Sequence, residues 1–120
     1  MQVKDIISKL PWFRSKSFDS FAPIGPRIVS HLEIEDPHNL HIELKANRET
    51  KQSSNTKHLL FKIPELMEYI TKIFTMEAGD IVATGTPGGI GPIKPGDLIE
   101  ASIDKIGTLS NKVILEEKVN

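Results

Sequence analysis

The sequence predicts a mainly β domain of the β-rich α+β class, with one principal helix. Three observations carry that expectation. Eight glycines and eight prolines are spread along 120 residues, marking many turns. Leu40, Ile42, Leu44 and Ala46 alternate with His41, Glu43, Lys45 and Asn47, the period of a half-buried strand. Ile99, Ala101 and Ile103 alternate with Glu100, Ser102 and Asp104 in the same way.

The remaining elements follow from local chemistry. Val3, Ile6, Ile7 and Leu10 recur at helical spacing, so a short amphipathic helix is expected before Pro11. Phe21 to Pro26 contains two prolines and reads as irregular; Arg27 to Ile34 reads as a strand. Asp36-Pro37-His38-Asn39 is a turn with Asx chemistry, and Thr50 to Ser53 is the hairpin partner of the strand before it. Ser53 to Thr56 is a polar run able to cap a turn of helix. Pro64 suits a first helical turn, and Leu66, Tyr69, Ile70 and Ile73 share a face, so 64–74 is the main helix, packed on a sheet with Tyr69 in the core or at its edge. Glu77-Ala78-Gly79-Asp80 and Lys94-Pro95-Gly96-Asp97 are similar turns, each launching a strand, and Thr108 to Glu116 is the last strand.

Composition narrows the function. Fifteen basic residues against sixteen acidic ones leave a net charge of −1, which disfavours nucleic acid or an anionic membrane as the main partner. There is no cysteine, hence no disulfide, thiolate nucleophile or zinc–thiolate site. No apolar run approaches the ~20 residues a membrane span requires, and the first residues lack a secretory apolar core, so a soluble cytoplasmic protein of one domain is expected.

The chemistry concentrates in Gly79-Asp80-Ile81-Val82-Ala83-Thr84-Gly85-Thr86-Pro87-Gly88-Gly89-Ile90-Gly91. A short strand, Ile81 to Ala83, delivers the hydroxyls of Thr84 and Thr86 into a glycine-rich bend, an arrangement able to hold an anionic group; the alternative is a plain turn between strands. It is not a P-loop, because Pro92 and Ile93 stand where Lys and Ser/Thr belong, and the glycine spacing fails the dinucleotide fingerprint at Pro87 and Lys94. Lys16, among Trp12, Phe13 and Phe18, either lends its charge to a developing oxyanion or lays its stem on the aromatics. Asp36, His38 and His41 form at most a weak metal candidate, and Glu33 and Glu35 would share a strand face able to grip a divalent cation.

Several segments together resemble the fumarylacetoacetate hydrolase family, the acylpyruvase and 2-hydroxyhepta-2,4-diene-1,7-dioate isomerase group. They are Leu10-Pro11-Trp12 through Lys16-Ser17-Phe18-Asp19, Phe21 through Pro26, Asp36 through Leu40, Ser54-Asn55-Thr56, the glycine-rich stretch, and Lys94 through Asp97 with Ile106-Gly107-Thr108-Leu109. They occur in the family's order and span nearly the whole chain. The resemblance implies a rolled mixed β-sheet with short helices, a homodimer, and chemistry on small 2-oxo acids and their enols: divalent-metal-assisted C–C hydrolysis, decarboxylation or isomerisation. It implies Mg²⁺ or Mn²⁺ as Lewis acid. By position, Lys16 matches the family's active-site lysine, Gln2 a substrate-contacting glutamine, and Gly85-Thr86 the motif whose threonine holds the substrate carboxylate.

The resemblance also implies a deficit. The family's metal ligands, a Glu-x-Glu pair and an Asp, lie upstream of the position matched by Gln2, as do the His and Glu of its lid. Residues 1–120 therefore read as one catalytic-domain fragment lacking the metal-ligand segment, to be completed by an upstream segment or a second chain. A further departure is Asn47-Arg48 where the family has Asn-Gly, which leads one to expect a differently bent hairpin. Two other readings stand beside the enzyme: a non-catalytic fold and dimerisation fragment, and a small anion-binding module without metal chemistry.

Overall fold

A computed structural model describes residues 13 and 16–115. Four strands form one sheet: β1 (His41–Ala46), β2 (Glu49–Asn55), β3 (Leu98–Ile103) and β4 (Gly107–Lys112). The order across it is β2-β1-β3-β4 and every pairing is antiparallel. Between β2 and β3 the chain makes a short 3₁₀ turn, Thr56–His58, one helix, α1 (Ile63–Thr71), and a long irregular excursion. The β-rich α+β class read from the sequence is the class observed.

Register explains the two faces. Ile42 pairs with Ile103 and Leu44 with Ala101, while Ala101 also faces Leu109, so one face is an apolar row. Glu43, Lys45, Glu100, Ser102 and Thr108 occupy the other. On that polar face Lys45 Nζ lies 2.9 Å from Glu43, which also accepts from the Thr50 hydroxyl at 2.9 Å. The bonds from Lys45, and then from Thr50, hold the Glu43 carboxyl below its ordinary range, and the same Lys45 ammonium is raised above its own.

Turn chemistry fixes the connections. Asn47 and Arg48 both adopt positive φ, 53° and 69°, so the β1–β2 hairpin keeps the geometry of a tight two-residue turn despite the arginine. Opposite Lys45 and Leu44 the register slips, leaving Lys51 as an extra residue in β2. The paired turns behave alike: Asp80 N–H donates to Glu77 O and Asp97 N–H to Lys94 O, while each Asp carboxylate accepts the first residue's N–H, at 2.8 and 2.7 Å. Gly79 and Gly96 supply the positive φ each turn needs, 102° and 95°. The Asx turn at Asp36 is present, with His38 N–H donating to Asp36 Oδ1 at 2.8 Å, and Asn55 caps the 3₁₀ turn through Lys57 N–H.

Several expectations are corrected. Residues 27–34 are not a strand: Ser30 Oγ accepts from Leu32 N–H, Glu33 Oε1 from Ser30 N–H, and Glu33 N–H donates to Ser30 O. Local side-chain acceptors thus take the donors a ladder would need. Ile28 is 96% exposed, and Glu33 and Glu35 share no strand face. Residues 81–83 are likewise not a strand and join no ladder of the described sheet; the loop that follows is moored at residues 86–88 by a side chain of β2, described below. The helix stops at Thr71, where Ile70 O accepts both the Ile73 N–H, a tighter bond spanning three residues, and the Phe74 N–H. Leu66, Met67 and Ile70 are half-buried, but Tyr69 is 67% exposed and is not core. The expected helix at 1–10 lies outside the described residues.

Among the described residues Leu40 is the buried apolar side chain, at 5% exposure, and Gln52 the buried polar one, at 8%. The N-terminal segment reaches the sheet through Arg27, whose guanidinium donates to Ile106 O and Lys105 O at 2.9 Å each.

Asn47 joins the hairpin to the Lys94–Asp97 turn: its Nδ2 donates to Asp97 Oδ1 at 2.8 Å and its Oδ1 accepts from Leu98 N–H at 2.9 Å. Bonds from Asn47, then from the Lys94 N–H, hold Asp97 below its ordinary pKa. Its contribution to stability is therefore complete above the unfolded carboxylate range and is lost as pH falls through the folded value. Thermal melts across the acid range are expected to fall less steeply for Asp97→Asn than for the wild type; identical slopes would contradict this coupling.

Candidate functional site

The glycine-rich loop lies against β2 and is tied to it by one side chain. Gln52 Nε2 donates to Pro87 O at 2.7 Å and to Thr86 Oγ1 at 3.0 Å, with Gly88 O at 3.4 Å. Gln52 faces Leu44 across the ladder, so it stands on the apolar face of the sheet, where an unpaired amide would be costly. The loop oxygens satisfy its donor, Nε2. Its neighbour Lys51 is the bulged residue, and Gly89 sits over it with φ 101°. A Cβ on Gly89 would run into the Lys51 carbonyl, so only glycine allows this approach.

This mooring forms one wall of an open cleft of about 470 Å³. The loop contributes Thr84, Gly85, Thr86, Pro87 and Gly88. Ile42 of β1 and Ser54 of β2 supply the sheet side, and Leu60, Phe61 and Leu66 an apolar side leading into α1. Helix and sheet thus meet across a cleft rather than by close packing. Among the residues lining it His58 is the one titratable side chain, with Nδ1 3.3 Å from Ser54 Oγ. Hydroxyls on an apolar background suit a small anion with a carbon skeleton.

The sequence-derived residues fare unequally. Gly85 and Thr86 line the cleft together. Lys16 has helical backbone and an exposed side chain, and it is not among the lining residues. Gln2 lies outside the described residues. His38 serves the fold instead, because its Nε2 accepts the Ile63 N–H at 3.0 Å and so caps α1. His41 is exposed, and its N–H donates to Asp104 Oδ2 at 3.0 Å. Among the described residues no three His, Asp or Glu side chains converge as metal ligands, so these residues do not themselves fit a divalent cation. Gln52 does not stand out in the sequence. Its strand reads Glu-Thr-Lys-Gln-Ser-Ser-Asn, polar throughout, so alternation gives no contrast to single it out. The available signal is its register opposite Leu44.

Comparison with known proteins places the chain in a family. Residues 1–114 match the family described as fumarylacetoacetate (FAA) hydrolase C-terminal, and the chain belongs to that family. An uncharacterised protein of Pyrococcus abyssi is 54% identical over 109 residues, which cover 91% of this chain and 48% of that protein. An oxaloacetate tautomerase of Bacillus subtilis is 43% identical over 109 residues, covering 85% of this chain and 36% of the tautomerase. The crystal structure of maleylpyruvate hydrolase from Sphingobium sp. SYK-6 in complex with manganese(II) and pyruvate superposes with a TM-score of 0.83 at 36% identity, covering 87% of this chain and 39% of that one. The chain spans about half the length, or less, of the curated relatives it matches. No described helix is long and apolar enough to cross a membrane.

Gly89→Ala is expected to lift the loop off β2. The backbone cost of a positive φ is about 1–3 kcal/mol for a non-glycine residue, and the carbonyl clash adds to it. Amide exchange across 81–94 should accelerate while β1, β3 and β4 keep their protection; unchanged exchange in the loop would contradict the contact.

Proposed function

We propose that this chain is the substrate-holding part of a fumarylacetoacetate hydrolase family enzyme acting on small 2-oxo acids or their enols. The reaction class is metal-assisted C–C hydrolysis, decarboxylation or isomerisation. The observation that carries the reading is the moored Gly85–Thr86 loop, which sets a hydroxyl at the wall of a cleft of suitable size. The tautomerase and maleylpyruvate hydrolase relatives support the substrate class.

In this reading Thr86, with the Gly85 backbone beside it, binds a substrate carboxylate. Lys16 supports negative charge on the reacting oxygen, and Gln2 contacts the substrate. The manganese in the Sphingobium enzyme supports a divalent cation, Mg²⁺ or Mn²⁺, whose ligands come from outside the described residues, on an upstream segment or a second chain. A cytoplasmic homodimer accords with the family and with the apolar side chains exposed on α1 and the loops, Phe74 and Ile81 among them. The absence of a carboxylate cluster among the described residues favours one second reading, an anion-binding module without metal chemistry.

Calorimetric titration with Mn²⁺, with and without oxalate, separates these once the metal-ligand segment is supplied. Stoichiometric Mn²⁺ binding strengthened by oxalate supports the enzyme. Oxalate binding without any metal response supports the module. Neither would contradict both. With the metal-ligand segment supplied, Lys16→Ala should lower kcat on the order of 10²-fold while KM changes little; an unchanged kcat would remove Lys16 from the mechanism.

A further inference from the structure

Gln52 Nε2 faces two main-chain carbonyls, Pro87 O and Gly88 O, at 2.7 and 3.4 Å. Carbonyl oxygens only accept, so the atom facing them is the amide nitrogen and not its oxygen; this settles the orientation of the side chain. The same nitrogen lies 3.0 Å from Thr86 Oγ1. An amide nitrogen cannot accept a hydrogen bond, so it donates to Thr86. Thr86 therefore cannot spend its hydroxyl hydrogen on Gln52, and that hydrogen is left for the open side, where Thr86 is exposed and lines the cleft. With only 8% of Gln52 exposed, its bonds act in a poorly screened setting, which strengthens them.

We propose that Gln52 is a positioning residue that fixes Thr86 as a hydrogen-bond donor into the cleft and so selects a ligand carrying an acceptor, a carboxylate, at that point. The proposal rests on the reading of Thr86 as the carboxylate-holding residue and adds what makes it one. Gln52 also neutralises two carbonyl oxygens that would otherwise present negative ends near the anion.

The test uses the full chain, ¹⁵N-labelled, with Thr86→Val (same shape, no hydroxyl), Gln52→Met (similar length, no donor) and the double variant, folding of each checked by thermal melt. Hydrogen exchange of the Gln52 side-chain amide is expected to be at least about tenfold slower than for a free amide, and to accelerate in Thr86→Val. With Mn²⁺ present, Gln52→Met should weaken oxalate binding about tenfold in the Thr86 protein, the worth of one buried hydrogen bond. It should have little effect in the Thr86→Val background. Equal losses in both backgrounds would reduce Gln52 to a structural tie and overturn the proposal, as would a freely exchanging amide. If the wild type binds no oxalate, the carboxylate reading of Thr86 fails on its own account. The exchange data, which need no Gln52 variant and no ligand, then decide alone whether Gln52 donates to Thr86.

Discussion

A single amide on the apolar face of the sheet ties the irregular part of this chain to its regular part. Without Gln52, residues 81–94 would have only turn bonds of their own, since they join no strand of the described sheet. With it, three oxygens in consecutive residues are gathered at one nitrogen. The energetics are conditional: burying the amide is costly unless those oxygens are present. Loop and strand thus depend on each other. The Lys51 bulge and Gly89 make the approach sterically possible, and Gln52 supplies the bonding.

The sheet itself is asymmetric. One face carries charges paired at its surface, Lys45 with Glu43 among them, which contribute little individually. The other carries the apolar row that Leu44, Ala101 and Leu109 begin, only partly covered by the described residues. Interaction between the layers is consequently concentrated at a few points: Gln52 on the loop, Arg27 on the β3–β4 turn, Asn47 on the Lys94–Asp97 turn and His38 at the start of α1. Each is a polar side chain holding a distant stretch of sequence, and the Gln52 contact holds the loop that forms a wall of the cleft.

This division explains what the sequence revealed. β1 and β3 were legible because their apolar alternation is uninterrupted, and the turns because Asp and Gly recur at fixed offsets. The failed strands at 27–34 and 81–83 have apolar runs of the right length, but donors of the first go to local side chains that no period reports, and the second joins no ladder of the described sheet. Tyr69 sits at helical spacing from Leu66 and Ile73 yet faces out, because the helix covers a cleft and not a closed layer. Of the site, Gly85 and Thr86 stood out through glycine density. The reason they are held could not, since it lies 34 residues away on an all-polar strand.

If the glycine-rich loop, moored by Gln52, forms an anion-holding wall, chemical-shift mapping of the labelled chain during an oxalate titration tests it most directly. Shifts are expected to concentrate in Thr84, Gly85, Thr86 and Gly88 and at Ser54 and His58 across the cleft, with the polar face of the sheet unmoved. Shifts centred on Lys45, Arg48 and Glu100, or none at saturating oxalate with Mn²⁺ present, would contradict that wall.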